Sequence, residues 1–543
     1  MKRLTLFYIL LCCFLLSAAS QPKYEVRAVW LTTIGGIDWP SSYAHDGMGI
    51  EQQKRQLRDI LDRLQALNVN TVMLQTRVRA TTIYPSSIEP WDGCLSGKPG
   101  VSPGYDALQY AIDECHRRGM ELHAWVVTIP VGKWQTYGCQ QLRKRYGNLI
   151  MHIGEEGYMN PESPVTADYI ADMCEEITSR YDIDGIHLDY IRYPETWRGR
   201  KQHQHITRIV ERIHDKVKML KPWVKLSCSP IGKYDDLSRY SSRGWNANRQ
   251  VAQDAQGWLR DGLMDQLYPM MYFQGNNFYP FAIDWKEQDA GRTVVSGLGI
   301  YMLHPRERNW PLSEVERQLY VTRQLGLGHC YFRAKFVLDN VKGVYDLIRR
   351  FDATPALVPP MTWAQSLPPA APVSLQVRHT TQGDRLSWNG AEDRSDGPYL
   401  LYNVYASAEQ PVDCTNPANL VAVRQPWQQL LVPRSAIRRR PMHYAVTALD
   451  RYGNESEPTY EDGEQSAHHS SMLPNDGRLL FLDFVAVEPS EYLMMCTLQG
   501  TIVHTCSYSE QVDISTLDEG IYQLKTLSRK GIAHRVGFFI IKR

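Results

Sequence analysis

Residues 185–191 read GIHLDYI, a short apolar strand that carries a carboxylate, Asp189, near its end. Seven comparable runs lie on either side. RAVWLTT (27–33), TVMLQTR (71–77) and ELHAWVV (121–127) precede it. KLSCSPI (225–231), QLYPMMY (266–272), VVSGLGI (294–300) and GHCYFRA (328–334) follow. The stretches between them, such as QQKRQLRDILDRLQAL (52–67), repeat apolar residues every three or four positions; others fall at 105–118, 165–181, 205–220, 248–262 and 313–325. That spacing is what a helix needs to cover one face of a sheet. Strand and helix in alternation call for parallel pairing, and eight such units predict an α/β fold, a (β/α)8 TIM barrel over 23–352. A doubly wound open sheet is the competing arrangement. The count of eight and the lack of a glycine-rich phosphate loop after the first strand disfavour it.

Side chains alternate across a strand, so His187, Asp189 and Ile191 share one face and Ile186, Leu188 and Tyr190 the other. The second set is the more apolar and suits the helix layer. Asp189 then faces the barrel axis close to the C-terminal mouth, where barrel enzymes carry their chemistry. Asp184, at the opposite end, reads as a strand-entry cap. A buried acid has to be hydrogen-bonded or paired, and Arg77 and Arg192 are the nearby cations; a purely structural ion pair is the plainer alternative. His123, Trp125 and Tyr272 come to the same rim from other strands. Taken singly, His123 reads as a core histidine and Trp125 as packing. Taken together they form a substrate wall.

Glycoside hydrolysis uses two carboxyls. Asp189 is placed as nucleophile or electrostatic stabiliser, and Asp254, which opens the helix before strand six, as first choice for proton donor. Its plainer reading is an acid favourable to a helix N-terminus. Glu195, Asp235, Asp236 and Glu307 are further loop acids. No HExxH, GxSxG or P-loop occurs, and the pair His203 and His205 lacks a carboxylate at ligand spacing. No metal and no cofactor are expected.

Residues 1–20 have a positive start, an apolar run and a small-residue exit, the layout of a secretory signal peptide. The apolar run is too short to span a bilayer comfortably, and no later one approaches the required length. The mature chain is therefore expected in the periplasm, on the outer-membrane surface or outside the cell, with no transmembrane segment. Formal net charge is +1, from 60 basic and 59 acidic residues, and no basic stripe marks a nucleic-acid partner. None of the cysteines is spaced as CxxC; Cys496 and Cys506 flank a predicted hairpin and are placed to bridge. A proline-rich linker (353–371) leads to a predicted β-sandwich (372–460), a polar linker (461–476) and a small β domain (477–543).

Three resemblances follow from these motifs. The sandwich, with Trp388, Tyr402, Tyr405 and the run from Tyr444 to Asn454, resembles a fibronectin type III module, which implies spacing or binding. The tail GIYQLKTLSRKGIAHRVGFFIIKR resembles the C-terminal sorting domains of secreted Bacteroidetes proteins. The barrel resembles the bacterial glycosyl hydrolase-like family 10 through EVRAVWLTTIGGIDWP (25–40), LQTRVRATTIYPSSIEPW (74–91), PGYDALQYAIDECHRRGMELHAWV (103–126) and YDIDGIHLDYIRYP (181–194). That likeness implies site positions at Arg77, His123, Trp125, Asp189, Arg192 and Tyr193. Many relatives carry Phe-Asp-Asp where this chain has Leu188-Asp189-Tyr190, so one neighbouring acid is missing. The chitinase family, by comparison, ends this strand in a Glu where Ile191 stands. The expected function is an exported glycoside hydrolase acting on an envelope or other polysaccharide, with peptidoglycan glycan strands favoured. The alternative is a non-catalytic glycan-binding barrel.

Overall fold

The computed structural model describes residues 21–240, 242–433, 442–461, 473, 475–482, 492–498, 500–509, 511–527 and 533–542. Residues 1–20, where a signal peptide is expected, and most of 461–476 lie outside them. Eight parallel strands close into a barrel: β1 (Arg27–Leu31), β2 (Thr71–Arg77), β3 (Glu121–Val127), β4 (Gly185–Asp189), β5 (Lys225–Cys228), β6 (Gln266–Leu267), β7 (Thr293–Gly299) and β8 (Gly328–Phe332). Closure is made by β1, which pairs with β8 through Arg27 and His329 and with β2 through Ala28 and Thr71.

Several strands are shorter than their apolar runs. The ladder needs backbone N–H donors, and Pro230 and Pro269 supply none. The chain beyond β5 and β6 therefore continues only as single bridges at Ile231 and Met270. β4 stops at Asp189 because Tyr190 turns into the left-handed region (φ 54). The helix expected over 248–262 is two, Ala247–Val251 and Ala255–Arg260. Ala252, at φ 54, breaks it. The Gln253 side chain then accepts from Ile231 N at 3.0 Å and donates to the Ile191 carbonyl at 3.2 Å, tying this segment to the mouth.

The alternation holds inside β4. Ile186 and Leu188 join the large core beneath the helices. His187 faces inward, with ring centroids 5.8 Å from Trp30 and 5.3 Å from Tyr268.

Beyond the barrel lie two antiparallel sheets. One contains Val373–His379, Gly383–Asn389 and Gln429–Pro433; the other contains Leu420–Gln425, Leu401–Ser407, His443–Leu449 and Thr459–Tyr460. Trp388, Tyr402 and Tyr444 are buried between them. This sandwich docks under the barrel. Arg424 donates to Glu121 Oε1 at 3.0 Å and to Asp184 Oδ1 at 2.5 Å. Arg451 reaches the same Asp184 oxygen at 3.2 Å and Asp182 at 2.7 Å. Lys225 and His123 also pair with Glu121, at 2.8 and 3.1 Å. Gly119, at φ +71, passes so close to the sandwich that a Cβ there would stand 2.4 Å from the Val423 carbonyl oxygen. The proline-rich run between the two is itself packed: Leu357 N donates to Lys23 O, and Met361 N to Tyr452 O, both at 2.8 Å.

The C-terminal segment adds a two-stranded and a four-stranded antiparallel sheet. Its register decides whether Cys496 and Cys506 pair, which the sequence leaves open. Cys506 stands opposite Leu493, three residues along from Cys496, and both thiols are free. At ~3.4 Å per residue that offset is about 10 Å, beyond disulfide reach. No helix among the described residues is long and apolar enough to cross a membrane.

Candidate active site

Asp189 is buried at the end of β4, and three donors grip its carboxylate. Trp125 Nε1 donates to Oδ2 at 3.2 Å, while Ser229 Oγ and the Tyr190 backbone N–H donate to Oδ1 at 3.0 and 2.8 Å. Its carbonyl is held as well, by the Thr128 N–H and hydroxyl at 2.9 and 2.8 Å. Burial pushes the Asp189 carboxyl above the ordinary aspartate value; Arg192 and the three donors oppose that push without cancelling it. An acid that keeps its proton more readily than usual suits proton transfer.

The left-handed turn at Tyr190 is what aims its N–H back at Asp189. The Tyr190 ring then lies against Arg192, whose guanidinium carbon is 4.3 Å from the ring centroid. Arg192 donates through Nη2 to Glu195 Oε1 at 2.6 Å. Glu195 follows β4 directly, and its side chain is 45% exposed. Tyr272 closes the far side of the mouth, stacked on Phe332 at 5.4 Å and edge-on to Tyr301 at 5.7 Å. Burial, with the Asp189 charge among the lesser causes, pushes the Tyr272 hydroxyl well up.

One layer deeper, Trp30 Nε1 donates to His187 Nε2 at 3.1 Å, so Nδ1 carries the proton toward Ser227 Oγ at 3.0 Å. Burial holds His187 well below the usual histidine range, hence neutral. His123 lies lower still, against Glu121 at the barrel base rather than at the mouth.

The remaining expected residues serve the scaffold. Arg77 pairs with buried Glu89 at 2.6 Å and donates to the carbonyls of Val127 and Thr128. It thus positions the segment that holds Asp189. Tyr193 packs away from the axis, against Trp197 and hydrogen-bonded to His205 at 2.7 Å. Asp254 caps the helix Ala255–Arg260, accepting from Gly257 N at 3.1 Å and Tyr234 Oη at 2.5 Å. Among the described residues it makes no hydrogen bond to Asp189 or to the groups that hold it. Asp235 and Asp236 bind within their own loop, to Asn248 and to Gly244 N. Ser229 is the residue that sequence reasoning missed. The alternation in KLSCS, which puts Ser227 and Ser229 on the inward face, is the signal that finds it.

Among the described residues, Glu25, His329 and Asp352 are placed closely enough to suggest a metal group. They sit at the barrel base, where Arg27 pairs with Glu25 at 2.8 Å and Arg323 with Glu25 and Asp352 at 2.6 Å. Two guanidiniums already neutralise the donor set, which does not fit a cation.

The model of the glycosyl hydrolase-like 10 family matches residues 25–204 and 194–302, slightly more than half of the chain. The chain belongs to this family. Glycosyl hydrolase YngK of Bacillus subtilis (strain 168) is 27% identical over 481 residues, covering 81% of this chain and 93% of its own. Glycosyl hydrolase DigH of Escherichia coli (strain K12) is 29% identical over 300 residues, covering 47% of this chain and 67% of its own. Among solved structures, the glycoside hydrolase domain of PgaB (BpsB) from Bordetella bronchiseptica has a TM-score of 0.42 at 13% identity, covering 60% of this chain and 98% of that one. By its family the barrel is glycosyl hydrolase-like.

Proposed function

We propose that this protein is an exported glycoside hydrolase that cuts a bacterial envelope polysaccharide, with peptidoglycan glycan strands the first candidate. The observation that carries the reading is Asp189 itself. It is a carboxyl at the mouth of a glycosidase-like barrel, oriented by three donors and raised in pKa by burial. In this reading Asp189 gives its proton to the glycosidic oxygen as the C1–O bond breaks. The Ser229 hydroxyl rotates to serve either protonation state, since it can donate or accept.

A second carboxylate must attack the sugar or activate water. The sequence alone casts Asp189 as nucleophile or electrostatic stabiliser and Asp254 as proton donor. With Asp189 raised by burial and Asp254 occupied as a helix cap, the parts are reassigned, Asp189 as donor and Glu195 as the second carboxylate. Glu195 follows β4 directly, reaches solvent and pairs with Arg192, whose charge also acts on Asp189. Trp125, Tyr190 and Tyr272 offer aromatic faces and edges to the sugar. Export is supported by the positive start and apolar run of residues 1–20.

The role of Asp189 predicts a pH effect. Activity of a protonated acid is lost as pH rises through its raised pKa. Ser229→Ala removes a hydrogen bond that favours the ionised form, so the alkaline limb of kcat/KM moves to higher pH. A limb that stays in place or moves down contradicts the assignment.

The test of function is product analysis on peptidoglycan, denuded glycan strands and common polysaccharides. Release of new reducing ends from at least one of them is expected. Tight binding without cleavage across the panel would instead assign a glycan-binding barrel, the reading favoured by the single acid in Leu188-Asp189-Tyr190.

A further inference from the structure

The loops after β4 (190–202) and β5 (229–253) pack together into one wall beside Asp189. Tyr193 N donates to Val251 O at 3.1 Å, and Lys201 Nζ to Gln250 O at 2.7 Å. His203 meets the Asn248 side chain at 2.7 Å. These two loops hold eight Lys and Arg against three acids, while the whole chain has a net charge of only +1. The surplus is real in space as well as in count. Arg192 and Arg249 are matched by Glu195 and Asp235, and Arg239 by Glu287. Arg198, Arg200 and Arg243 are exposed and make no ion pair among the described residues, whereas Lys233 is buried and donates to Asn277 Oδ1 at 2.6 Å, and Lys201 is turned onto the Gln250 carbonyl. Three aromatic side chains stand exposed on the same wall: Tyr190 at 36%, Tyr240 at 41% and Trp245 at 39%.

Concentrated charge of one sign beside a cleft raises the local concentration of oppositely charged ligand. Exposed aromatic faces stack on sugar rings. A neutral glycan would use the aromatics and leave the three exposed arginines idle. A nucleic acid would use both, but this wall borders a glycosidase-like mouth.

We infer that the wall is a subsite for an anionic glycan, one whose sugars carry carboxylates. The inference rests on the glycosidase reading for the identity of the polymer, and its test reads binding, not turnover. The Asp189→Asn protein is titrated with polygalacturonate and with denuded peptidoglycan strands, each with carboxylates intact or chemically reduced to alcohols. The intact polymers should bind more tightly than the reduced ones, and the difference should shrink at high salt because exposed charges are screened. The triple variant Arg198→Ala, Arg200→Ala, Arg243→Ala should lose about tenfold in affinity for an intact polymer, the sum of three exposed pairs. Its affinity for the reduced polymer and its melting temperature should be unchanged. Equal binding of intact and reduced polymers overturns the inference, as does equally tight binding of single-stranded DNA. If the wild type cuts no polysaccharide yet binding follows carboxylate content, the hydrolase reading fails and the subsite stands. If it cuts neutral and anionic strands alike without a binding preference, the reverse holds.

Discussion

Asp189→Asn is expected to lower kcat by about a thousandfold, within the range that a positioned acid contributes, while the protein stays folded and keeps its glycan affinity. The substitution is nearly isosteric. The amide oxygen can take the Oδ1 position and keep both the Ser229 hydroxyl and the Tyr190 N–H, which lie at 3.0 and 2.8 Å. The amide nitrogen then faces Trp125 Nε1, so one hydrogen bond is lost at a cost of about 1 kcal/mol. An amide has no proton of carboxylic acidity to give, so turnover should fall far more than stability. Steady-state kinetics beside a thermal melt separates the two. A parallel collapse of both would make Asp189 a structural residue.

The second large effect lies at the other end of the barrel. Arg424→Ala should destabilise the protein by about 3–5 kcal/mol, the usual result of removing one partner from a buried ion pair. Glu121 Oε1 and Asp184 Oδ1 both accept from this guanidinium. Lys225, His116 and Arg451 remain but do not fill its place. The pH dependence has a definite sign. Burial alone raises the Glu121 carboxyl, but Lys225 and Arg424 outweigh it and hold the group down at about 2, below its ordinary 4.5. A depressed carboxylate stabilises the fold above its unfolded value and loses that contribution as pH falls through its folded one. Wild-type stability should therefore drop between pH 4.5 and about 2, and the Arg424→Ala protein should show a shallower drop in urea melts across that window. An unchanged midpoint at neutral pH would mean that the sandwich is only tethered to the barrel.

That contact alters how the appended module is understood. From its strands alone the sandwich reads as a spacer or a binding unit, and the proline-rich run as a linker. Both are packed parts of the barrel base. Nothing in the run around Arg424 announces this, because ion pairs separated by 303 residues, as with Glu121, leave no periodic trace. The barrel was legible because period-two and period-3.6 patterns are local. The inward face of β4 was legible for the same reason, and it led correctly to the burial of His187 and Asp189.

The partners of Asp189 were less so. Trp125 was found from its own strand, whereas Ser229 belongs to a strand read only for its apolar run. Asp254 attracts notice by its place near a strand end. Its actual role comes from the break at Ala252, which makes it a cap, and the sequence gives little sign of that left-handed turn. The cationic wall was hidden for a similar reason. Each loop alone holds four basic residues, and only the fold sets the two side by side.

The most direct test of the central claim is hydrolysis in H2(18)O, with the products analysed by mass spectrometry. The wild type should place one heavy oxygen at each new reducing end of the cleaved glycan, and the Asp189→Asn protein should give no labelled product above background. Unlabelled product from the wild type, or equal labelling by the two proteins, would contradict hydrolysis driven by Asp189.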